Sequence, residues 1–178
     1  MQRRDVIRLL GSLGATSALA SLPGERLWAV GLDAHHRTSG GAFRVLSREA
    51  AEAIARIADL VMPRTETPGA LDVGCVELID LLLAEWFMPA DRDLLLTGLA
   101  AIDTTPATLP ATARALEAQP RGAKDTASGA WWEFKYLTLF GWFTSERVMK
   151  DVLKFQIWPG RYGGCEDMTR PGSSARPA

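Results

Sequence analysis

Residues 131–143 read WWEFKYLTLFGWF, and this stretch decides the fold. The apolar run is too long for one buried β-strand, and its residues do not alternate with polar ones as they do in a half-exposed strand. A buried helix needs no alternation, because such a helix is apolar on every side. We therefore predict a mostly buried α-helix over residues 128–143.

Amphipathic helices are predicted on both sides of this stretch. The first begins at Ser47, whose hydroxyl can cap the first turn, and it stops at Pro63. Apolar residues recur at helical spacing in further segments. These segments are residues 72–87, 90–102 and 110–119, with a short helix over 144–153. The chain is thus predicted to be all-α, a compact single-domain bundle of five or six helices.

Composition marks the ends of this domain. Residues 24–45 contain Gly31, Thr38, Ser39, Gly40 and Gly41, show no periodicity, and are predicted to be a linker. Residues 46–165 are predicted to form the helical domain, which closes with an irregular C-terminal arm rich in aromatic residues and glycine. Residues 166–178 are predicted to be a disordered tail.

An export signal is predicted over residues 1–23. Arg3 and Arg4 precede a weakly apolar run, and residues 18–20 (ALA) offer a small-residue cleavage site. Adjacent arginines are typical of twin-arginine signals, which carry folded proteins. The alternative is a short basic N-terminus on a cytoplasmic helix, but the glycines of the run suit a signal better than a packed helix. We therefore expect a periplasmic protein.

The charge balance excludes some partners. The chain has 20 basic and 21 acidic residues and a net charge of −1, without a basic stripe, so nucleic acid is not an expected partner. After cleavage of the signal, no apolar run of the roughly 18 residues that a transmembrane helix needs remains.

Cysteine and histidine placement predicts no metal site. His35 and His36 are adjacent in the linker, and no CxxC or CxxCH motif is present, which excludes a zinc ribbon and a covalently attached haem. In an exported protein Cys75 and Cys165 can form a disulfide. The alternative is one buried thiol and one thiol near a flexible end, and the spacing does not decide between them.

The carboxylates of the domain are predicted to be structural, so no catalytic residue is assigned. Asp72 lies where the N-cap of the second helix belongs, and Glu77 and Asp80 fit a solvated helix face. Glu133 and Lys135 flank aromatic residues and are expected to form a local ion pair. Phosphate loops and nucleophile-elbow motifs do not occur in the sequence.

The paired tryptophans Trp131 and Trp132 point to an interface. Successive helical residues point about 100° apart, so both side chains cannot face the same core. Tryptophan is enriched at the buried centres of interfaces. The alternative, that a small bundle covers both side chains, stays open at this point.

Several stretches, taken in order, resemble the gluconate 2-dehydrogenase subunit 3 family. They are residues 59–70 (DLVMPRTETPGA), 73–80 (VGCVELID), 137–146 (LTLFGWFTSE) and 159–165 (PGRYGGC). With the twin-arginine start, the likeness covers residues 45–165. The part between Trp86 and Ser128 departs from the family pattern, since it is shorter and richer in alanine and proline.

The resemblance implies a small, non-catalytic subunit of a periplasmic sugar or polyol dehydrogenase, held at the inner membrane through its complex. A large flavoprotein subunit would carry FAD and the chemistry, and a cytochrome c subunit would pass electrons on. The small subunit would bring the complex to the twin-arginine translocation machinery and is expected to hold no cofactor. The alternatives are a self-standing periplasmic helical binding protein and, with less support because the domain lacks histidine, an enzyme in its own right.

The surface predicted to bind the large subunit has two parts, one on the aromatic helix and one on the C-terminal arm. An irregular apolar arm is costly to leave in water, and an arginine between aromatic residues suits an interface anchor. The predicted interface residues are Trp131, Trp132, Tyr136, Trp158, Arg161 and Tyr162.

Overall fold

The computed structural model describes residues 43–155 together with Arg26. Within this part of the chain every regular element is helical, which confirms the predicted all-α fold. The elements are α1 (Arg48–Val61), a 3-10 turn (Leu71–Val73), α2 (Cys75–Glu85), α3 (Pro89–Ala100), α4 (Leu109–Glu117), α5 (Ala127–Thr144) and a π-helical turn (Val148–Val152).

Helix α5, formed by the aromatic stretch, lies at the centre of the bundle. It contacts α1, α2, α3, α4 and the π-helical turn. Its first turn is capped by Thr126, whose Oγ1 accepts a 3.1 Å hydrogen bond from the Gly129 amide. Because neighbours surround this helix, most of its side chains are buried, which is why its sequence shows no amphipathic period. The predicted buried helix over 128–143 is confirmed.

The main core fills the space between α5 and the four helices around it. Its fully buried side chains include Ile54, Ile57, Leu82, Leu95 and Phe134. Burying a side chain of this size contributes about 1.5–3 kcal/mol relative to leaving it in water. The bundle is therefore stabilised mainly by apolar contacts with α5.

Helix starts agree with the sequence where a cap or a proline marks them. Ser47 caps α1, because its Oγ accepts a hydrogen bond from the Ala50 amide at 3.2 Å. Pro89 and Pro110 lie in the first turns of α3 and α4, where a missing amide costs no helical hydrogen bond. The short helical segment predicted after residue 144 is also present, and the Ser145 Oγ accepts a 3.3 Å hydrogen bond from the Val148 amide at its start.

The second predicted helix is broken near its start. Gly74 separates the 3-10 turn from α2 with a φ of 70°, a left-handed conformation that glycine adopts at little cost. Asp72 consequently does not cap α2. Its Oδ2 accepts a 2.9 Å hydrogen bond from the Gly69 amide and so stabilises the preceding loop.

Asp80 is not on a solvated face, so that prediction is wrong. The residue is 4% exposed, and its carboxylate accepts hydrogen bonds from three consecutive backbone amides. These are the amides of Arg44 at 2.6 Å, Val45 at 3.0 Å and Leu46 at 2.9 Å. A second contact, between the Arg44 guanidinium and Glu85 at 2.6 Å, reinforces it. The segment that enters the domain is thereby fixed to α2.

A smaller core joins three of the stretches that carry the family resemblance. Cys75 and Trp142 are buried there with Ala58, Ala70 and Val148. The Trp142 indole donates a 2.7 Å hydrogen bond to the Pro68 carbonyl. These contacts hold the loop after α1 against the C-terminal half of α5.

Helix α3 buries a narrow face. Leu95 and Leu99 are in the core, as is Ile102 just after the helix, whereas Leu94 is 46% exposed. Adjacent positions on a helix diverge by about 100°, so Leu94 cannot follow Leu95 inward.

Candidate functional site

The two adjacent tryptophans of α5 have different environments. Trp131 is 1% exposed and belongs to the core, and its indole nitrogen lies 3.3 Å from Oε1 of Glu117, to which it donates. Trp132 is half-buried and packs against the outside of the main core. The two side chains therefore have different surroundings, and burial removes the side chain of Trp131 from the surface predicted to bind a partner.

Trp132 begins a stripe of partly exposed side chains along α5. Tyr136, Leu139 and Phe143 follow it at intervals of four, three and four residues, which places all four on one side of the helix. Phe143, at the far end of the stripe, is 47% exposed. We call these four residues, Trp132, Tyr136, Leu139 and Phe143, the aromatic face.

The predicted interface includes only Trp132 and Tyr136 of this face. For Leu139 and Phe143 the sequence predicts a buried helix but not which way their side chains point. The spacing of positions 132, 136, 139 and 143 was the available signal, because it is the spacing of one helical stripe.

A cation lies beside the aromatic face. Lys135 Nζ is 5.1 Å from the centroid of the Trp132 ring, within the range of a cation–π contact. The same ammonium donates a 2.5 Å hydrogen bond to Oε1 of Glu117, and this bond lowers the pKa of the Glu117 carboxyl. The two contacts hold one side of the Trp132 ring in place.

Behind the face, a carboxylate is buried in the bundle. Glu133 is 0% exposed, and its Oε2 accepts a 2.6 Å hydrogen bond from Nη2 of Arg121. The predicted local pair of Glu133 with Lys135 is wrong, because residues two apart on a helix point to opposite sides.

The neighbourhood of Glu133 also affects Tyr136. Burial raises the pKa of the Tyr136 hydroxyl, and the charge of Glu133 raises it further. The hydroxyl is therefore protonated at neutral pH and can donate a hydrogen bond to a partner.

The Cys75 thiol is another group in the described part of the chain that could react. It is fully buried and free, and its Sγ lies 3.7 Å from the Thr138 carbonyl oxygen, to which it donates. Burial raises the pKa of this thiol to about 12, so it is not a thiolate at neutral pH. Across residues 43–155 and Arg26, His, Cys, Asp and Glu side chains do not form a group of three or more that could hold a metal ion.

The other predicted site residues lie outside the described residues. They are Arg3 and Arg4 of the export signal, Trp158, Arg161 and Tyr162 of the C-terminal arm, and Cys165 of the proposed disulfide. The predictions about them stand as predictions. In the part of the chain that is described, the helices are too short or too polar to cross a membrane.

Comparison with known proteins identifies a family. The family model described as gluconate 2-dehydrogenase subunit 3 matches residues 48–160, which include every α-helix described above. No curated protein and no solved structure matches the chain significantly.

Proposed function

The chain belongs to the gluconate 2-dehydrogenase subunit 3 family, and on this premise we propose that it is the non-catalytic small subunit of a periplasmic, flavin-dependent sugar or alcohol dehydrogenase. The large subunit of the complex would bind FAD and oxidise the substrate. A cytochrome c subunit would accept the electrons and keep the complex at the inner membrane.

The aromatic face carries this proposal. Four large apolar side chains form a continuous stripe on a rigid helix at the centre of the bundle, and Trp and Tyr are the residues most enriched at interface anchors. The Trp132 ring is already held by Lys135, so less side-chain entropy is lost when a partner covers it. A large subunit with an apolar groove would bury this stripe.

The buried polar groups have structural roles, which supports the proposal that the partner subunit carries out the catalysis. Asp80 binds the backbone of residues 44–46, Glu133 binds Arg121, and the Cys75 thiol is protonated and enclosed. These groups stabilise the fold and face the interior. FAD and the catalytic residues are accordingly assigned to the partner.

We further propose that the chain escorts its partner during export. Arg3 and Arg4 precede a weakly apolar run, the arrangement of a signal for folded proteins, and a partner without a signal could travel with it. Replacing both arginines by lysine should retain this chain and the flavoprotein in the cytoplasm. Unchanged periplasmic amounts of both proteins would refute the escort role and leave the subunit role intact.

Co-purification tests the complex itself. A tagged chain purified from its native host should bring down a large subunit in fixed stoichiometry, with the visible absorbance spectrum of a flavin. The same chain purified alone should be colourless. A chain that purifies alone from its host, without a flavoprotein, would instead favour the self-standing binding protein.

Variants of the aromatic face test where the partner binds. Truncating an interface anchor costs about 2 kcal/mol or more, which is roughly thirtyfold in affinity. Trp132→Ala and Phe143→Ala should weaken binding of the purified flavoprotein by about this factor with unchanged helical circular dichroism. Leu94→Ala is the matched control, because Leu94 is as exposed as Phe143 but lies on α3. Equal affinity of all three variants would exclude this face.

The C-terminal arm is the second predicted contact. Trp158→Ala and Arg161→Ala should also weaken binding of the flavoprotein while the bundle stays folded. Unfolding of the domain by both variants would show that these residues belong to the core.

A further inference from the structure

A groove separate from the aromatic face lies between α1 and the start of α2. Its volume is about 360 Å³, room for about a dozen water molecules. The floor and walls are apolar and come from Phe43, Ala51, Ala55, Leu71 and Val76. Arg48, Glu52 and Glu77 form a charged rim of both signs.

Two walls of this groove are exposed large side chains. Phe43 is 42% exposed, and Leu71 of the 3-10 turn is 48% exposed. Water against such apolar surfaces is released favourably when another apolar group covers them.

The chain enters the domain at this groove. Asp80 holds the amides of residues 44–46, which immediately follow Phe43, so the entry point has a fixed position. The residues upstream of Phe43 therefore start their path at the wall of the groove.

We propose that the groove binds the chain's own segment 27–32, LWAVGL, which lies outside the described residues. This segment is uncharged and contains four large apolar side chains, Leu27, Trp28, Val30 and Leu32. It lies within the predicted linker, where such residues have no assigned role. Cleavage after the small residues 18–20 would leave it in the mature protein.

The sequence between the segment and the groove, and the charges on both, are compatible with binding of segment 27–32. Residues 33–42 are mostly polar or glycine and can turn the chain back to the groove. Arg26 and Asp33 flank the segment with one charge of each sign, and the rim also carries both signs. A short tether can give an effective concentration in the millimolar range, so even weak affinity would keep the segment bound.

Disulfide trapping in the full chain tests the proposal. Ala29→Cys would be combined with Leu71→Cys at the groove, in a background with Cys165→Ser. Cys75 can stay, because its buried thiol has a pKa of about 12 and hardly reacts. Ala29→Cys with Leu94→Cys is the matched control, since Leu94 is as exposed as Leu71 but lies on α3 and does not line the groove.

The tether is long enough for both pairs to form. The chain from residue 29 to residue 43 spans up to about 50 Å when extended, more than a domain of this size requires. We expect the intramolecular crosslink to form about tenfold faster with the groove position than with the control position. Adding Trp28→Ser should bring the groove rate down to the control rate.

Three results would overturn the proposal. Equal rates at the two positions would show that the segment does not prefer the groove. Crosslinks between molecules would show that a second copy occupies it. An unchanged groove rate after Trp28→Ser would mean that the apolar side chain is not what binds.

Discussion

The Glu133 carboxylate on α5 accepts a 2.6 Å hydrogen bond from the guanidinium of Arg121, which lies in the loop before the same helix. The carboxylate is fully buried, whereas the arginine side chain is 53% exposed. The loop thus brings the Arg121 guanidinium to a carboxylate that is buried in the bundle.

Arg121→Ala should destabilise the domain by about 2 kcal/mol or more, because removing one partner of a buried ion pair leaves a desolvated charge. Chemical denaturation followed by circular dichroism measures the change. Arg64→Ala is the control, since Arg64 pairs with Asp72 at 3.3 Å on the surface and should change stability by less than about 1 kcal/mol. Equal losses in the two variants would contradict the assigned role of Arg121.

Asp80→Asn should loosen the entry of the chain into the domain. The amide keeps the size of the side chain, but it loses the charge and one acceptor oxygen for the amides of residues 44–46. Hydrogen bonds to charged groups contribute about 1.5–3 kcal/mol, so a loss of about 2 kcal/mol is expected. Trypsin should also cut faster after Arg44. Glu77→Gln, an exposed neighbour on α2, should change neither the stability nor the cleavage rate.

Gly129→Ala should destabilise the domain although alanine is the better helix former. An added Cβ would lie 1.9 Å from the Ala123 carbonyl oxygen, and this backbone atom cannot move aside as a side chain can. Overpacking of this kind typically costs about 1–3 kcal/mol. At Gly141 the Cβ would meet the Leu78 and Cys75 side chains at 3.0 and 3.1 Å. Gly141→Ala should therefore be the milder substitution, and a reversed order in thermal melting would refute the packing argument.

The Cys75 thiol should make stability fall at alkaline pH. Its folded pKa of about 12 lies above the ordinary value of 9.0, so the folded chain holds the proton where the unfolded chain releases it. Unfolding then releases a proton, and the free energy of unfolding falls as pH rises from about 9 to about 12, by at most about 1.4 kcal/mol per pH unit.

Cys75→Ala isolates this contribution. The variant is expected to be less stable at pH 8 because it leaves a cavity, but the difference from the parent should shrink by pH 10. A constant difference between the two proteins over this range would rule out the thiol as the titrating group. Alkylation at pH 8 offers a second readout, since Cys75 should react only after unfolding.

Helix positions followed from local signals in the sequence. Ser47 and the prolines at 89 and 110 mark helix starts, because a cap or a missing amide acts within one turn of its own residue. The family was also evident from short stretches, and the structure shows why two of them belong together. Trp142 from one binds the Pro68 carbonyl in the other, so both form the smaller core.

The direction of individual side chains depended on tertiary contacts. Trp131 faces inward, where it packs in the main core and donates to Glu117 of α4, which is 14 residues earlier in the sequence. The prediction for Asp80 failed because its partners are backbone amides more than thirty residues earlier. Backbone amides occur at nearly every residue, so no sequence pattern marks the ones that a carboxylate binds.

The sequence by itself determined the all-α architecture, the approximate helix boundaries and the family, because caps, prolines and apolar spacing act over a few residues. Only the tertiary structure decided which carboxylates are buried, which tryptophan is buried in the core, and that the stripe through Leu139 and Phe143 stays partly exposed. The physical reason is that burial depends on which elements pack together, and packing is a property of the whole chain.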